Sequence, residues 1–299
     1  MKTKVFIDGE SGTTGLKIFE RLETRNDIEL LKIASHLRKD SSEKRKLLNA
    51  ADFVFMCLPD DAAVESVSLI DNPDVRVIDA STAHRTNPDW DYGFPELFAK
   101  GKQYERIRQS KRVAVPGCYA SGFIALVFPL IEAGIISRDD SLFCYGISGY
   151  SGAGKPAIAE YESPDRSSEL GSARMYALSQ SHKHQPEMQK VCGLTKTPMF
   201  SPIIDDYYSG MIVSVPLQAG HESAAIKDVY RSHYCGENSR VRLCEGENVT
   251  FLAANSLADS DDMEIYVFGD GERVLLSARY DNLGKGASGA AVQCFNLMK

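Results

Sequence analysis

The chain has 299 residues, 43% of them hydrophobic and 25% charged, which excludes a disordered chain, a collagen and a disulfide-stapled miniprotein; at roughly 100–200 residues per domain there is room for two domains. Its formal charge of −7 would repel a phosphate backbone, so no nucleic-acid partner is expected. No apolar run approaches the ~20 residues of a membrane helix, and Met1-Lys2-Thr3-Lys4 runs straight into a short Val5-Phe6-Ile7, so no membrane or secretory role is expected and the compartment is the cytoplasm.

Lys4–Asp8 is a β-rich run, followed by glycines at 9, 12 and 15 and by Leu16–Leu22, whose Leu16, Phe19 and Leu22 share a helical face. Strands are predicted at Ile28–Ala34, at Phe53–Leu58, which Pro59 stops, and at Val75–Asp79, with helices at Lys44–Ala51 and Val64–Ile70. Alternation at this spacing predicts βαβ units wound into a parallel sheet, a Rossmann-type domain over residues 1–117. After that the pattern changes. A helix fits Tyr119–Ala133 and a strand Leu142–Ile147, and Ser148–Gly154 is an aperiodic glycine and serine loop. Met211–Leu217 reads as a strand, Ala224–Tyr234 as a helix, and Met263–Phe268 with Val274–Tyr280 as a hairpin around Gly269-Asp270-Gly271-Glu272. Residues 118–283 are expected to form an α+β catalytic and oligomerisation domain with a mostly antiparallel sheet. Gly286–Met298 reads as a helix, and the segment 284–299 is expected to pack back on the first domain. The fold class is α/β with two domains.

Gly9-x-x-Gly12-x-x-Gly15 departs from the commoner Gly-x-Gly-x-x-Gly of dinucleotide sites but keeps its physical logic. Glycines let the backbone approach a pyrophosphate, the helix beyond supplies free N–H groups, and Ser11, Thr13 and Thr14 add hydroxyls. A plain tight turn is the competing reading. The second strand runs out through Ile33-Ala34-Ser35-His36-Leu37-Arg38-Lys39, with no acid before Asp40. An acid there would hold the ribose 2′-hydroxyl of NAD, whereas cations and hydroxyls suit a 2′-phosphate, so Ser35, Arg38 and Lys39 point to NADP(H) unless they are merely solvated loop residues.

The seven cysteines (57, 118, 144, 192, 235, 244, 294) contain no Cys-x-x-Cys pair, so neither a disulfide framework nor a metal site is indicated. Cys118 stands apart. It follows Val113-Ala114-Val115-Pro116-Gly117 and opens an apolar helix, where the dipole and free N–H groups favour the thiolate and could hold an oxyanion. Buried filler is its competing role and the default for the other six. An acid–base partner would come from the histidines (36, 84, 182, 184, 221, 233). The densest polar setting is Ser181-His182-Lys183-His184-Gln185-Pro186-Glu187, where His182 and His184 are both candidates.

Gly9-x-x-Gly12-x-x-Gly15, Pro116-Gly117-Cys118-Tyr119, Ser148-Gly149-Tyr150-Ser151-Gly152-Ala153-Gly154-Lys155 and His182-Lys183-His184-Gln185-Pro186-Glu187 together resemble, in this order, the N-acetyl-gamma-glutamyl-phosphate reductase family of arginine biosynthesis, in its short form. Trp90-Asp91-Tyr92-Gly93-Phe94-Pro95-Glu96 and Lys285-Gly286-Ala287-Ser288-Gly289 look like further family segments. The resemblance implies Cys118 as nucleophile and His182 as acid–base residue. It places Pro59 with the cofactor residues, and Arg85, Tyr119, Ser148, Ser151 and His184 around the substrate, with Lys155 a second candidate cation. Long-form relatives carry an acidic-aromatic-arginine run where this chain has Ala83-His84-Arg85, which leaves the role of His84 open.

The implied reaction is attack of the Cys118 thiolate on an acyl phosphate, loss of inorganic phosphate to give a thioester, reduction of that carbonyl with hydride from NADPH, and protonation of the thiohemiacetal oxygen by His182 as the aldehyde departs. The implied partners are the small acyl phosphate, inorganic phosphate and further copies of the chain, as a homodimer or homotetramer. Two other readings compete: an aspartate-semialdehyde dehydrogenase using the same chemistry, and a non-catalytic NADP-sensing protein.

Overall fold

β1 (Thr3–Asp8), α1 (Thr13–Leu22), β2 (Ile28–Leu31), α2 (Ser41–Ala50), β3 (Phe53–Met56), α3 (Asp60–Ser68), β4 (Arg76–Asp79), β5 (Asp91–Tyr92), α4 (Lys102–Gln109) and β6 (Arg112–Ala114) open the chain in a computed structural model, which describes residues 2–218, 220–245, 249–270 and 273–299. The six strands form a wholly parallel sheet in the order β2-β1-β3-β4-β6-β5. All four residues of β3 are buried, as a strand covered on both faces requires.

Alternate strand residues feed two cores. Val5, Ile7, Phe53, Phe55 and Ile78 pack with Ile18 and Leu22 of α1 on one face, and Phe6, Val54, Met56 and Val77 with Leu48 of α2 on the other. The first core is completed by a C-terminal helix, Gly289–Met298, which supplies Ala290, Ala291, Cys294 and Phe295. Phe295 meets Phe53 edge-on, with ring centroids 4.9 Å apart, and its burial contributes about 2–3 kcal/mol.

The later elements are α5 (Cys118–Glu132), β7 (Phe143–Gly149), α6 (Lys155–Tyr161), β8 (Arg174–Met175), α7 (Gln185–Cys192), β9 (Met199–Asp205), β10 (Met211–Leu217), α8 (Ser223–His233), β11 (Val241–Leu243), β12 (Met263–Asp270) and β13 (Arg273–Tyr280). They build a seven-stranded mixed sheet ordered β11-β12-β13-β10-β7-β9-β8. Four of its pairings are antiparallel, while β7–β9 and β11–β12 are parallel. Every residue of α5 from Tyr119 to Ile131 is buried, which is why this helix shows no polar face.

The chain divides into two units. One comprises Met1–Gly93, Glu105–Pro116 and Ala287–Lys299, the other Phe94–Tyr104 and Gly117–Gly286. The segment Phe94–Tyr104, expected with the first domain, belongs to the second because Glu96 is buried in it. Its carboxylate accepts from Lys285 Nζ at 2.6 Å and from the Arg240 amide at 3.0 Å.

Element ends also shift for local reasons. α2 begins at Ser41 because Asp40 caps it, and β2 ends at Leu31, ahead of a 3₁₀ turn over Ser35–Leu37. Ser148 and Gly149, expected in a loop, lie in β7, where Ser148 sits opposite Met211 and Ile204. The sequence reading missed the short helices α4, α6 and α7, the short strands β5, β8 and β11, and β9, which at seven residues matches β7 and β10 in length. Gly271 and Glu272 of the expected hairpin turn lie outside the described residues, although β12 and β13 pair antiparallel up to Asp270 opposite Arg273. Among the described residues no helix is long and apolar enough to cross a membrane.

Glu264 on β12 lies opposite Arg279 on β13 and accepts from Arg279 Nη2 at 2.5 Å, Arg242 Nη2 at 2.6 Å and the Tyr266 hydroxyl at 2.8 Å. Partial burial raises its pKa, but the two guanidinium groups outweigh that and hold it at about 2 instead of 4.5. The carboxylate therefore stabilises the fold fully above pH ~4.5, and the contribution is lost as pH falls toward 2. Between pH 5 and 2.5, the denaturation midpoint should fall further for the wild-type chain than for Glu264→Gln; equal falls would contradict the assignment.

Candidate active site

Gly9 has φ +90°, and a Cβ there would stand 2.3 Å from the Cys57 carbonyl oxygen; a Cβ on Gly15 would stand 2.3 Å from the Gly9 carbonyl oxygen. Neither position accepts a side chain. Gly12 caps α1 from extended backbone without a side chain on the first amides, so those N–H groups point into the turn. Thr13 Oγ1 is buried there without a hydrogen-bond partner. A phosphate oxygen on the turn would supply that partner and accept from the amides, so these residues fit a dinucleotide pyrophosphate. The turn lies between the carboxyl ends of β1 and β3, where the strand order reverses. Ser11 is exposed, Thr14 half-buried, and Pro59 is an exposed residue at the head of α3.

Ser35, Arg38 and Lys39 are exposed beyond β2. Asp40, the first acid after that strand, accepts from the amides of Ser42 at 2.9 Å and Glu43 at 3.0 Å as the cap of α2. The Glu43 amide, then Ser42, holds its carboxyl below the usual range. Asp40 is committed to the helix, and the end of β2 offers a hydroxyl and two cations. Arg85 donates through Nε to the Val115 carbonyl at 2.9 Å and through Nη2 to the Ala80 carbonyl at 3.0 Å. His84 is buried, stacked on Trp90 at 4.1 Å with Nδ1 2.6 Å from the Asp79 carboxylate. Trp90 and Asp79 thus hold the His84 ring within the first unit.

In the second unit Cys118 is the first residue of α5, capped by Gly117 with no acid in the first turn. The Gly117 carbonyl accepts from the Ser121 amide and hydroxyl at 2.9 and 3.1 Å, and the Gly117 amide donates to Glu187 Oε1 at 2.9 Å. Glu187 is 1% exposed. One carboxylate thus ties the cysteine motif to the histidine motif, a contact no sequence pattern announced. Cys118 is half-buried. Burial pushes the thiols of Cys144, Cys192 and Cys244 up, and at Cys57 burial acts together with Asp79 and Asp8.

The histidine segment leads into α7. The His184 amide donates to His182 Nδ1 at 3.1 Å, so the neutral ring of the half-buried His182 carries its proton on Nε2. The His182 ring lies edge-on to Phe200 at 5.1 Å and to Tyr119 at 6.0 Å. Two of the expected substrate contacts are buried. His184 is 4% exposed and caps α7, and Tyr119 is 3% exposed, its hydroxyl donating to the Ile203 carbonyl at 3.1 Å. Both rings pack edge-on against His182, His184 at 4.7 Å. Ser148 donates to the Gly149 carbonyl, while Ser151 accepts from Asn282 Nδ2 at 2.9 Å, and Asn282 in turn accepts from the Gly210 amide. Lys155 is exposed at the start of α6. Among the described residues no group of three or more His, Cys, Asp or Glu is placed to hold a metal.

Residues 4–103 match the family model described as semialdehyde dehydrogenase, NAD binding domain, and residues 118–282 the one described as semialdehyde dehydrogenase, dimerisation domain. The N-acetyl-gamma-glutamyl-phosphate reductase of Chelativorans sp. (strain BNC1) is 45% identical, covering 100% of this chain and 98% of its own length. That of Brucella ovis is 45% identical over 100% and 99%, and N-acetyl-gamma-glutamyl-phosphate reductase 2 of Pseudomonas putida 43% identical over 98% and 96%. Among solved structures, a probable aspartate-semialdehyde dehydrogenase from Pseudomonas aeruginosa shares the fold, with a TM-score of 0.74 at 16% identity over 100% of this chain and 98% of that one. Aspartate semialdehyde dehydrogenase II from Vibrio cholerae does so with a TM-score of 0.72 at 17% identity, over 100% and 98%. With both domain models matched in order and relatives this similar along the full length, the chain belongs to the semialdehyde dehydrogenase family and, within it, to the N-acetyl-gamma-glutamyl-phosphate reductases.

Proposed function

We propose that this chain reduces N-acetyl-gamma-glutamyl phosphate to N-acetylglutamate 5-semialdehyde and inorganic phosphate with NADPH, through a thioester on Cys118, as a cytoplasmic homodimer or homotetramer. The observation that carries the reading is the Glu187 carboxylate on the Gly117 amide, which fixes Cys118 and the His182 motif to each other within one unit.

Cys118 attacks the acyl carbon as thiolate, the C–O bond to phosphate breaks, and the first amides of α5 hold the oxyanion in between. The proton consumed in each turnover passes from the thiol to the departing phosphate, with His182 as the acid–base residue between them. That differs from the expectation that His182 protonates the thiohemiacetal oxygen. The oxygen must keep its negative charge to re-form C=O while the thiolate leaves. A bound nicotinamide cofactor supplies the hydride that reduces the thioester carbon. Gly9, Gly12, Thr13 and Gly15 seat its pyrophosphate, and Ser35, Arg38 and Lys39 take the 2′-phosphate in the absence of a competing acid, which supports NADP over NAD. Ser151, held by Asn282, stands as a contact for the substrate in the unit that carries Cys118.

Run backward with phosphate and NADP, the enzyme should prefer N-acetylglutamate semialdehyde to aspartate semialdehyde by about a hundredfold or more in kcat/KM; the reverse preference would sink the substrate assignment. Cys118→Ser should lose about a thousandfold or more of kcat while Cys235→Ser keeps it, with rapid-quench mass spectrometry finding the acyl group on Cys118. Full activity in Cys118→Ser would refute the thioester. Arg38→Ala with Lys39→Ala should raise KM for NADPH roughly tenfold per cation and leave KM for NADH nearly unchanged; equal effects on both cofactors would remove the 2′-phosphate assignment.

A further inference from the structure

Tyr280, the last residue of β13, is fully buried and its hydroxyl enters the first turn of α5. It donates to the Cys118 carbonyl at 2.6 Å and accepts from the Gly122 amide at 3.0 Å. An uninterrupted helix would pair those two groups with each other. Gly122 makes the insertion possible, since a Cβ there would stand 2.5 Å from the hydroxyl. Burial keeps the phenol pKa well above its ordinary value, so the group stays a neutral donor.

The Cys118 carbonyl and the Tyr119 amide belong to one rigid peptide plane, so fixing the oxygen fixes the direction of the N–H. The two preceding planes are held as well, by Ser121 on the Gly117 carbonyl and by Glu187 on the Gly117 amide. Each of three consecutive peptide planes around the nucleophile therefore has its own clamp. Of these, the Tyr280 clamp acts on the plane whose N–H follows the nucleophile directly, the donor best placed for an oxyanion on the acyl group that Cys118 carries. We propose that Tyr280 is a positioning residue: its hydroxyl aims the Tyr119 N–H at the oxyanion formed when Cys118 is acylated and when the thioester is reduced. The inference rests on the thioester reading above.

Tyr280→Phe keeps the ring and lets the Cys118 carbonyl close directly on the Gly122 amide, turning the plane. In the full chain, kcat with the acyl phosphate should fall about ten- to a hundredfold with KM within about twofold. Alkylation of Cys118 by iodoacetamide, followed across pH by mass on the Cys118 peptide, should be unchanged, because displacement at that carbon forms no oxyanion. An unchanged kcat overturns the proposal. So does a parallel loss of alkylation, which would make Tyr280 a support for the thiol alone, and so does a fall of more than about 10 °C in Tm, which would make it a support for the fold. Full activity in Cys118→Ser would instead bring down the thioester reading, and this inference with it.

Discussion

A buried carboxylate on a backbone amide is the contact on which the catalytic unit turns. Glu187 and Gly117 are 70 residues apart, and each lies at the edge of a segment whose regular structure is short or just beginning. A carboxyl group this deep needs hydrogen-bond partners to offset its desolvation. The Gly117 amide is one, and it precedes the first helical residue. The Glu187 contact therefore takes the amide outside the helix and leaves the later ones, on the residues that follow, for chemistry. An acid in the first turn of α5 would have competed for those groups, and α5 has none.

The same economy runs through the first unit. The chain is acidic, with a formal charge of −7, yet it is read as handling anions. Several acids near the nucleotide turn are occupied inside the protein. Asp8 receives Ser66 and Lys44, Asp40 caps α2, and Asp79 receives Ser81 and His84. Net charge is a poor guide to the local field when carboxylates are spent on amides, hydroxyls and cations within the fold.

Much of this was legible in the sequence because it depends on local period and glycine position. The strands of the first sheet read as apolar runs, and the Gly9 and Gly15 positions as close approaches, without any tertiary knowledge. Cys118 could be singled out because a strand end, a glycine and an apolar helix adjoin it. What was not legible is contact between distant segments. Nothing about Tyr119 or His184 as residue types tells that they are buried against His182, since both are common in ligand sites. Glu96 and Lys285 look like surface charges until the structure pairs them with side chains at 2% and 0% exposure. Tyr280 sits in a β-strand pattern that explains it fully as a core residue, and its hydroxyl becomes special only when Gly122 is seen to leave it space. Short elements such as α7 escape periodicity because about two turns of helix carry too few apolar residues to establish a phase.

The helix Gly289–Met298 belongs to the core of the parallel sheet, although the strands it covers are made first. During synthesis the apolar face of Phe53, Phe55 and Ile78 is therefore complete in sequence long before its lid exists. A nascent chain must carry that face exposed, or covered by a chaperone, while the whole second unit is translated. The parallel sheet is translated ahead of the second unit and completed only after it.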